Sequence, residues 1–448
     1  MTSLPSEFGA PAASAAVGDE LGARVLASAA APRPTVRSVV AATRVATAPD
    51  SVSLDTLLMS RLRPGLAGTV LAGRKAVVVF DAGEAGVWTV TLDGSRGRVR
   101  RGATEDASLT VQGPAAVLAD VVCGRTNGVQ AFLDGRLTVR GDLALSLQLD
   151  GMWAHDASRP ALWPRALETV AMGVRTSYLE AGPVDAPPVL LLHGLGATNA
   201  SMLPVLADLA ADHRVLAPDL PGFGASAAPS VPYNPPWFAA WVEAFQVVTR
   251  SRGAVVVGNS LGGRIALEAG LSHPRSIRAV ALLAPSPAFR RLRQWVPLVR
   301  VVPTGLGRLP IPINHGLIVE SIRGMMSVPS RLPQPWYDAA ADEAQRVFRS
   351  RAHRVAFLSC ARQIYLEDAY GRNGFWDRLP GLLPPALFLW GDRDRLVPSS
   401  FARHVTDCLP EAGSVVLEDC GHVPQFEHPE LTNALLRGFL DQVPPTAA

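Results

Sequence analysis

Short apolar runs recur along the C-terminal three-fifths of the chain, and polar or glycine-containing segments separate them. The clearest runs cover residues 189–192, 254–257, 279–284 and 386–391. Uninterrupted runs of this length are typical of strands that are buried on both faces of a parallel sheet. The chain from 175 to 443 is therefore predicted to form one α/β domain, a mostly parallel sheet flanked by helices.

A long segment separates the third apolar run from the fourth, and it exceeds a single connection between neighbouring strands. It is rich in large apolar residues, among them Trp295, Ile318 and Met326. We expect a helical cap at about 286–380, whose apolar side chains enclose a substrate or only pack the cap on the body. Its first part interleaves basic and apolar residues, namely Phe289, Arg290, Arg291, Leu292, Arg293 and Trp295.

Such a basic amphipathic segment fits three interpretations. A solvated cap face is the one we favour. Weak contact with an anionic membrane surface is the second. The third is an arginine cluster that meets an anionic group of the substrate.

Residues 51–153 show a different pattern, in which short runs of alternating apolar and polar residues are separated by frequent turns. Alternation at 87–92 followed by Asp93-Gly94 predicts a strand and a turn. Further strands are expected at 75–80 and 107–111, and helices at 113–122, 128–133 and 143–149. The region is therefore predicted to be a small α+β domain, an antiparallel sheet with helices on one face.

The remaining segments are predicted to be connections. Residues 1–50 are rich in alanine, proline, serine and threonine with little periodicity, so we expect them to be mostly disordered. Residues 154–174 are expected to be a linker, with a short helix at 165–170. Residues 444–448 are expected to be a tail.

The motif Gly258-Asn259-Ser260-Leu261-Gly262 lies between the apolar run at 254–257 and a helical pattern at 264–269. A G-x-S-x-G sequence in the order strand, turn, helix is the context of a nucleophile elbow. The turn strains the serine backbone, and small flanking residues let it form. Ser260 is therefore the candidate nucleophile, and Asn259 is a supporting residue.

A serine hydroxyl needs a histidine to accept its proton and an acid to orient that histidine. His422 follows a late strand pattern and a glycine, and it is the candidate base. Asp394 and Asp392 both follow the run at 386–391. We favour Asp394 as the acid and expect Asp392 to cap the turn. His428 is expected at a helix start on the surface.

An oxyanion hole needs two backbone N–H groups that point at the developing charge. The residue after the nucleophile, Leu261, is one candidate donor. The second is Leu195, in the loop after the run at 189–192. His193 and Gly194 precede it, and we expect His193 to support the loop without acting as a base.

These motifs resemble the α/β-hydrolase fold, and the resemblance covers residues 175–443. It implies Ser260 as nucleophile, Asp394 as acid and His422 as base, with no metal or organic cofactor. Carbon–carbon bond hydrolases of the family also have Asn before and Gly-Gly after the serine. They usually carry a Gly-x-Gly-Pro-Gly loop and a Trp after the histidine, whereas this chain has Gly194-Leu195-Gly196-Ala197-Thr198 and Val423.

Residues 51–153 resemble the sterol carrier protein type 2 lipid-binding domain. The resemblance is carried by residues 131–145, which read AFLDGRLTVRGDLAL, and by the strand and helix before them. It implies an apolar tunnel for acyl chains, sterols or acyl-CoA, or alternatively an accessory domain whose core is filled.

Composition narrows the function classes. Net charge is +3, and no basic block is interleaved with aromatic residues in the manner of a nucleic-acid binder. The four cysteines form no C-x-x-C pair, and no apolar run reaches the length of a membrane span. The N-terminus lacks the pattern of a secretory signal. We therefore expect a cytoplasmic protein.

The combined interpretation is a serine hydrolase that cleaves a lipophilic carboxylic ester or thioester, with an accessory lipid-binding domain. One alternative is a lipid carrier whose hydrolase domain is vestigial or an acyltransferase. The other is a carbon–carbon bond hydrolase.

Overall fold

The chain forms two sheets, one for each of the two predicted folding patterns. We describe a computed structural model. It describes residues 13–15, 20–29, 54–62, 66, 71–153, 163–286, 303–309 and 314–444. The arginine-rich part of the cap, residues 290–293, lies outside these ranges.

The strands are β1 Ala13–Ala15, β2 Lys75–Asp81, β3 Val87–Asp93, β4 Gly97–Arg101, β5 Leu109–Gln112, β6 Thr138–Gly141, β7 Arg165–Ala171, β8 Val174–Ala181, β9 Pro188–Leu192, β10 Arg214–Pro218, β11 Ala254–Asn259, β12 Ile277–Leu283, β13 Ala386–Gly391 and β14 Gly413–Leu417. The α-helices are α1 Glu20–Ala29, α2 Leu54–Leu62, α3 Ala115–Val122, α4 Gly128–Leu133, α5 Leu143–Trp153, α6 Leu203–Leu209, α7 Pro235–Val248, α8 Leu261–Ser272, α9 His315–Arg323, α10 Gln334–Arg349, α11 Arg351–Leu366, α12 Phe375–Arg378, α13 Phe401–Cys408, α14 Pro424–Glu427 and α15 Pro429–Leu440.

The smaller sheet has the strand order β4-β3-β2-β5-β6. The antiparallel expectation is wrong for one pair, because β2 and β5 run parallel. The hairpin of β3 and β4 lies on one side of β2, so the chain crosses over and adds β5 on the other side. The buried side chains of this sheet, such as Val78 and Phe80, pack against Leu118 of α3 and Leu145 of α5.

The larger sheet has the order β1-β14-β13-β12-β11-β9-β10-β8-β7. Strands β9 to β14 are mutually parallel where they pair, as the uninterrupted apolar runs predict. Strands β7 and β8 add antiparallel pairs at one edge. Two hydrophobic clusters cover the two faces of the sheet. The carboxyl ends of β9, β11 and β13 therefore meet at one edge.

The strand at one edge of this sheet lies in the segment that we expected to be a linker with a helix at 165–170. That expectation is wrong, because the segment forms β7, which pairs with β8 from Arg165 onward. Only Ala166 and Ala171 of this strand are buried and the other residues are exposed or half-buried, which fits its place at the end of the sheet. Met172 and Gly173 have φ angles of 51° and 76°, as a tight two-residue hairpin turn requires.

Two described pieces, residues 13–15 and 20–29, form regular structure within the segment that we expected to be mostly disordered, and the rest of residues 1–50 lies outside the described residues. Strand β1 pairs antiparallel with β14 and extends the edge of the large sheet. Helix α1 packs beside β14 and α15, and its Val25 is fully buried in the core of that sheet. An amphipathic helix gains its stability from such packing, which local composition does not reveal.

Helices α9 to α12 lie between β12 and β13 and form the described part of the cap. Helix α10 also contacts the smaller domain. Its Trp336 and Ala339 pack with the core of that domain. Its Asp342 accepts hydrogen bonds from Arg140 Nε at 2.7 Å and Gly141 N at 2.9 Å. The cap thus joins the two folding units.

Within the described residues, no helix has the length and apolar character that crossing a lipid bilayer requires.

Candidate active site

Ser260 lies on a strained turn at the carboxyl end of β11, directly before α8. Its φ and ψ are 53° and −112°, a conformation that L-residues rarely adopt. The side chain is half-buried and remains accessible. Leu261 is the first helical residue, so its N–H has no intrahelical acceptor. The turn therefore presents a hydroxyl beside a free backbone donor.

Two glycines make this turn sterically feasible. A Cβ on Gly258 would lie 2.4 Å from backbone atoms of Gly262. A Cβ on Gly262 would lie 2.1 Å from the carbonyl oxygen of Leu192, at the end of β9. Any other residue at either position would displace the turn from the neighbouring strand.

His422 and Asp394 form a buried hydrogen-bonded pair. The His422 Nδ1 to Asp394 Oδ2 distance is 2.7 Å. The other oxygen, Asp394 Oδ1, accepts the N–H groups of Leu396 and Val397, each at 2.8 Å. These bonds fix the carboxylate, which in turn orients the imidazole. A neutral imidazole with its proton on Nδ1 has Nε2 free to accept a proton.

Of the two candidate aspartates, Asp394 is the one whose carboxylate lies within hydrogen-bond distance of His422. Asp392 does not contact His422; its Oδ1 accepts the N–H of Cys420 at 3.1 Å. Asp392 thus ties the turn after β13 to the loop that carries His422. Cys420 is buried, and burial raises the pKa of its thiol, so it remains a packing residue.

The backbone of His422 is held from two sides. Asn259 Nδ2 donates to the His422 carbonyl oxygen at 3.2 Å and to the Leu283 carbonyl oxygen at 2.9 Å. The His422 N–H donates to the carbonyl oxygen of Met325, in the cap, at 2.8 Å. Asn259, which precedes the candidate nucleophile, therefore positions the histidine from one side, and Met325 of the cap positions it from the other.

Glu427 fastens the same loop to the cap. Its Oε1 accepts the N–H of Gly421 at 2.8 Å, and its Oε2 accepts the N–H of Ser327 at 2.6 Å. Burial raises the pKa of this carboxyl, although the backbone hydrogen bonds oppose the shift. Sequence reasoning missed Glu427, because a Glu in a helix gives no sign of its distant partners.

The loop after β9 lies against the nucleophile turn. A Cβ on Gly194 would lie 3.4 Å from Ser260 Cβ. Leu195 follows in this loop and is half-buried, beside the core cluster that includes Phe357 of α11. Gly196 has a φ of 75°, and a Cβ there would lie 3.0 Å from the Phe357 ring. The cap therefore covers the loop that contains the second candidate oxyanion donor.

His193 is fully buried and acts as a scaffold for two loops. Its Nε2 accepts the N–H of Leu220 at 2.9 Å, so the ring proton is on Nδ1, which donates to the Gly194 carbonyl oxygen at 2.8 Å. Burial lowers the pKa of this ring to about 4. A neutral imidazole with both nitrogens in use cannot act as a base.

Asp219 organises the loop after β10, a role that the sequence did not suggest. Its two oxygens accept the N–H groups of Asn199 and Ala225, each at 2.8 Å. Burial raises the pKa of this carboxyl to about 7. His428 also differs from expectation, because it starts α15 as predicted but is buried, with Nε2 3.0 Å from the Asp419 carbonyl oxygen.

A buried ion cluster anchors helix α8 to the end of the cap. Arg264 donates through Nε to both oxygens of Glu367 at 3.0 Å and through Nη2 to Glu268 at 2.8 Å. Arg378 also donates to Glu268. Removal of one partner from such a cluster costs about 3–5 kcal/mol, because it leaves a buried charge without compensation.

In the described part of the chain, no group of three or more His, Cys, Asp or Glu side chains is arranged to hold a metal ion.

Two family models match the chain. The model of the alpha/beta hydrolase family matches residues 189–435, and the model of the SCP-2 sterol transfer family matches residues 56–153. The chain belongs to the alpha/beta hydrolase family. This hydrolase therefore carries the fold that its strand pattern predicted, fused to the sterol-carrier type of domain that residues 131–145 indicated.

Several curated proteins are similar to the hydrolase domain. A pimeloyl-[acyl-carrier protein] methyl ester esterase of Aeromonas hydrophila is 28% identical over 57% of this chain and 96% of its own length. Monoacylglycerol lipase abhd6-B of Xenopus laevis is 24% identical over 64% of this chain and 90% of its length. A 2-hydroxy-6-oxo-6-(2'-aminophenyl)hexa-2,4-dienoic acid hydrolase of Metapseudomonas resinovorans is 28% identical over 59% of this chain and 88% of its own length.

Solved structures give the same fold. A bacterial membrane phospholipase A superposes with a TM-score of 0.53 at 28% identity, over 63% of this chain and 87% of the other. A lipase of Acinetobacter baumannii superposes with a TM-score of 0.54 at 24% identity, over 63% and 92%. The second comparison supports the fold alone.

Proposed function

We propose that this hydrolase cleaves a lipophilic carboxylic ester or thioester through an acyl-enzyme. Ser260 Oγ attacks the carbonyl carbon, and His422 Nε2 takes the hydroxyl proton. Asp394 keeps the imidazole in the required tautomer and stabilises its charged form. The N–H groups of Leu261 and Leu195 hold the oxyanion.

The second half of the reaction mirrors the first. His422 gives its proton to the leaving alcohol or thiol, and the acyl group stays on Ser260. A water molecule, deprotonated by His422, then attacks the acyl-enzyme and releases the acid. No metal or organic cofactor takes part in this proposal.

The observation that carries the proposal is the hydrogen bond that fixes His422 Nδ1 on the buried Asp394, in a loop bonded to the residue before the strained, accessible Ser260. Asn259 links the two halves, because it precedes the serine and bonds the His422 carbonyl oxygen. Preorganised groups of this kind need no rearrangement during the reaction.

Two features favour a lipophilic ester. Curated relatives named for ester and monoacylglycerol hydrolysis align over most of their own length. The cap places apolar groups such as Phe357 over the loop at 194–196, where they can exclude water. We further propose that the N-terminal domain holds a lipid, since it matches the model of the SCP-2 sterol transfer family and contains a pocket with almost wholly apolar walls.

The Ser260→Ala variant tests the assignment. Hydrolysis of p-nitrophenyl esters of increasing acyl length is measured for wild type and variant, with Ser272→Ala at the other end of α8 as the matched control. We expect serine-dependent activity that rises with acyl length, and a control close to wild type. Retained activity in Ser260→Ala would overturn the assignment.

Carbon–carbon bond hydrolysis is the second candidate. The sequence Asn259-Ser260-Leu261-Gly262-Gly263 and the similarity to the Metapseudomonas hydrolase favour it. Turnover of a vinylogous diketone by wild type, with no turnover of any ester, would select this reaction over ester hydrolysis.

A further inference from the structure

Helix α10 of the cap lies between the N-terminal domain and the candidate active site. Its side towards the N-terminal domain includes Trp336, Ala339 and Asp342. Its other side includes Tyr337 and Ala341, which belong to a separate buried cluster. At 3.6 residues per turn, the two sets lie on opposite sides of the helix. One helix therefore contacts both parts of the molecule.

Asp342 is the polar centre of the contact with the N-terminal domain. Its Oδ2 accepts hydrogen bonds from Arg140 Nε at 2.7 Å and from the Gly141 N–H at 2.9 Å. Its Oδ1 lies 3.3 Å from His315 Nε2, at the start of α9. The Asp342 side chain is 15% exposed, whereas that of Arg140 is 50% exposed. A shielded carboxylate with a charged donor and a backbone donor contributes more than an exposed ion pair does.

A second ionic contact lies one turn further along the helix. Arg346 Nε lies 3.5 Å from Asp142 Oδ1, and Arg346 also donates to Glu343 at 2.8 and 2.6 Å. The same Asp142 oxygen accepts the N–H of Leu145, in the first turn of α5, at 2.9 Å. Helix α10 therefore contacts three consecutive residues of the N-terminal domain, 140–142.

The opposite side of α10 holds the segment that precedes the helix in the cap. The Tyr337 hydroxyl donates to the Pro329 carbonyl oxygen at 2.8 Å. Tyr337 is buried with Met326 and Ala341, and Val423, which follows the candidate base, packs against this cluster. These contacts fix the position of the segment relative to the helix.

The same segment is bonded to the loop of the candidate base. The Met325 carbonyl oxygen accepts the His422 N–H at 2.8 Å, and the Ser327 N–H donates to Glu427 Oε2 at 2.6 Å. A Cβ on Gly421 would lie 2.3 Å from the Met325 carbonyl oxygen, so glycine permits this close approach. A shift of the cap segment therefore shifts the backbone of His422.

These contacts form one series from the N-terminal domain to the candidate base. We propose that the docked N-terminal domain positions His422, because it holds α10 and thereby the segment 325–329, and that Asp342 is the positioning residue at the interface. The hydrolase domain then works at full rate only while the N-terminal domain is docked on the cap. The inference rests on the proposed function, and it gives the N-terminal domain a role that is independent of any lipid it holds.

Substitution of Asp342 in the full chain tests the inference. We expect Asp342→Ala to lower kcat for a p-nitrophenyl ester by about tenfold or more, since a small misplacement of a catalytic group has an effect of this size. KM should stay within about twofold of wild type, because the substitution removes no group that binds the substrate. Asp342→Asn keeps one acceptor oxygen and should recover part of the rate.

Reaction with a small fluorophosphonate provides a readout that needs no lipophilic substrate. Its attack by Ser260 also requires His422 as the base, so the rate constant for labelling should fall by the same factor as kcat in Asp342→Ala. Glu320→Gln is the matched control, because it neutralises an exposed carboxylate on the neighbouring helix α9. Its kcat and labelling rate should stay within about twofold of wild type.

Arg140→Gln tests the partner on the N-terminal domain, and it decides alone if Asp342→Ala does not fold. It removes the charged donor and leaves the Gly141 N–H, so we expect a smaller fall in kcat, about threefold. In the Asp342→Ala background it should have no further effect, since the effects of two residues in contact are not additive.

The contrary results are distinct. Wild-type kcat in a folded Asp342→Ala protein would overturn the inference and leave the Ser260 assignment intact. A rise in KM without a fall in kcat would also overturn it, since the domain would then act on substrate binding. Activity that persists in Ser260→Ala would instead overturn the proposed function, and this inference with it.

Discussion

Asp392 and Asp394 are separated by one residue, yet their carboxylates contact different parts of the same loop. Asp394 is buried and bonds His422 Nδ1, whereas Asp392 is exposed and bonds the N–H of Cys420. Only the first can fix the tautomer of the histidine. The second supports the loop that carries it.

This contrast predicts different effects for two equivalent substitutions. In Asp394→Asn, the amide N–H group faces Nδ1, so the ring proton moves to Nε2 and the imidazole cannot accept the Ser260 proton. We expect kcat to fall by about 10³–10⁴-fold, as in the best-studied triad. The kcat values of wild type and variant are measured with a p-nitrophenyl ester as the substrate.

Asp392→Asn is the matched control. It keeps an oxygen that accepts from Cys420, and the side chain is exposed, so kcat should stay within about twofold of wild type. A loss in Asp392→Asn as large as in Asp394→Asn would contradict the assigned roles.

The sequence could single out Ser260, Asp394 and His422 as candidates, because each follows the end of an apolar run at one edge of a parallel sheet. It could not predict Glu427 or the loop-organising Asp219. Each accepts one backbone N–H group from a more distant segment, Asn199 for Asp219 and Ser327 for Glu427. Because the donors are backbone N–H groups, the residue types of the partners do not reveal these contacts. The contacts form only when the loops fold.

At the level of elements, strand β7 shows how context overrides local pattern. The sequence of residues 165–170 is also compatible with a helix, but in the structure these residues form a hairpin with β8. The two positive φ angles at Met172 and Gly173 close the turn. Pairing with the neighbouring strand β8 thus selected a strand where the propensity of residues 165–170 alone was ambiguous.

Helix α1 gives an element-scale prediction. Val25 is fully buried in the core of the larger sheet, although it comes from the N-terminal segment. Val25→Ala should lower the free energy of unfolding by about 2 kcal/mol, from lost apolar burial and the cavity left behind. Urea unfolding measures the change.

The exposed neighbour Arg24 provides the control for this experiment. Arg24→Ala should leave the unfolding midpoint close to wild type. Equal midpoints for Val25→Ala and wild type would show that α1 does not contribute to the core in solution.

On the scale of the whole molecule, helix α10 connects the apolar pocket of the N-terminal domain with the loop that carries His422. Phe132 lines this pocket and stacks on Trp336 with ring centroids 5.5 Å apart. Trp336 also makes an edge contact, at 5.5 Å, with Phe426 of α14, which follows His422. A continuous series of aromatic contacts therefore runs between the two domains.

Trp336→Ala should disturb both ends of this series. Removal of the ring leaves Phe426 and the loop before it without support, and small misplacements of a catalytic group cost about tenfold to a hundredfold in rate. We expect kcat to fall by that factor and lipid binding in the pocket to weaken. Ester hydrolysis and ligand calorimetry measure the two effects.

Trp336→Phe is the matched variant, because it keeps an aromatic ring between Phe132 and Phe426. It should recover most of the activity. Wild-type kcat in a folded Trp336→Ala protein would contradict a contribution of the docked domain to the active site.

Both folding units could be predicted from the sequence, but their docking could not. Each unit has its own hydrophobic periodicity, which is local information. The interface depends on single contacts, such as Asp342 with Arg140 and with the Gly141 N–H. Nothing in the spacing of these residues indicates that they meet.

Covalent labelling tests the central claim, that Ser260 is the nucleophile, most directly. The protein is treated with a fluorophosphonate, which phosphonylates activated serines with loss of fluoride, and the masses of its tryptic peptides are measured. Peptide 253–264 contains Ser260 as its sole hydroxyl side chain. We predict a stoichiometric adduct on this peptide that disappears in Asp394→Asn. An adduct elsewhere, or none in a folded protein that hydrolyses esters, would contradict the account.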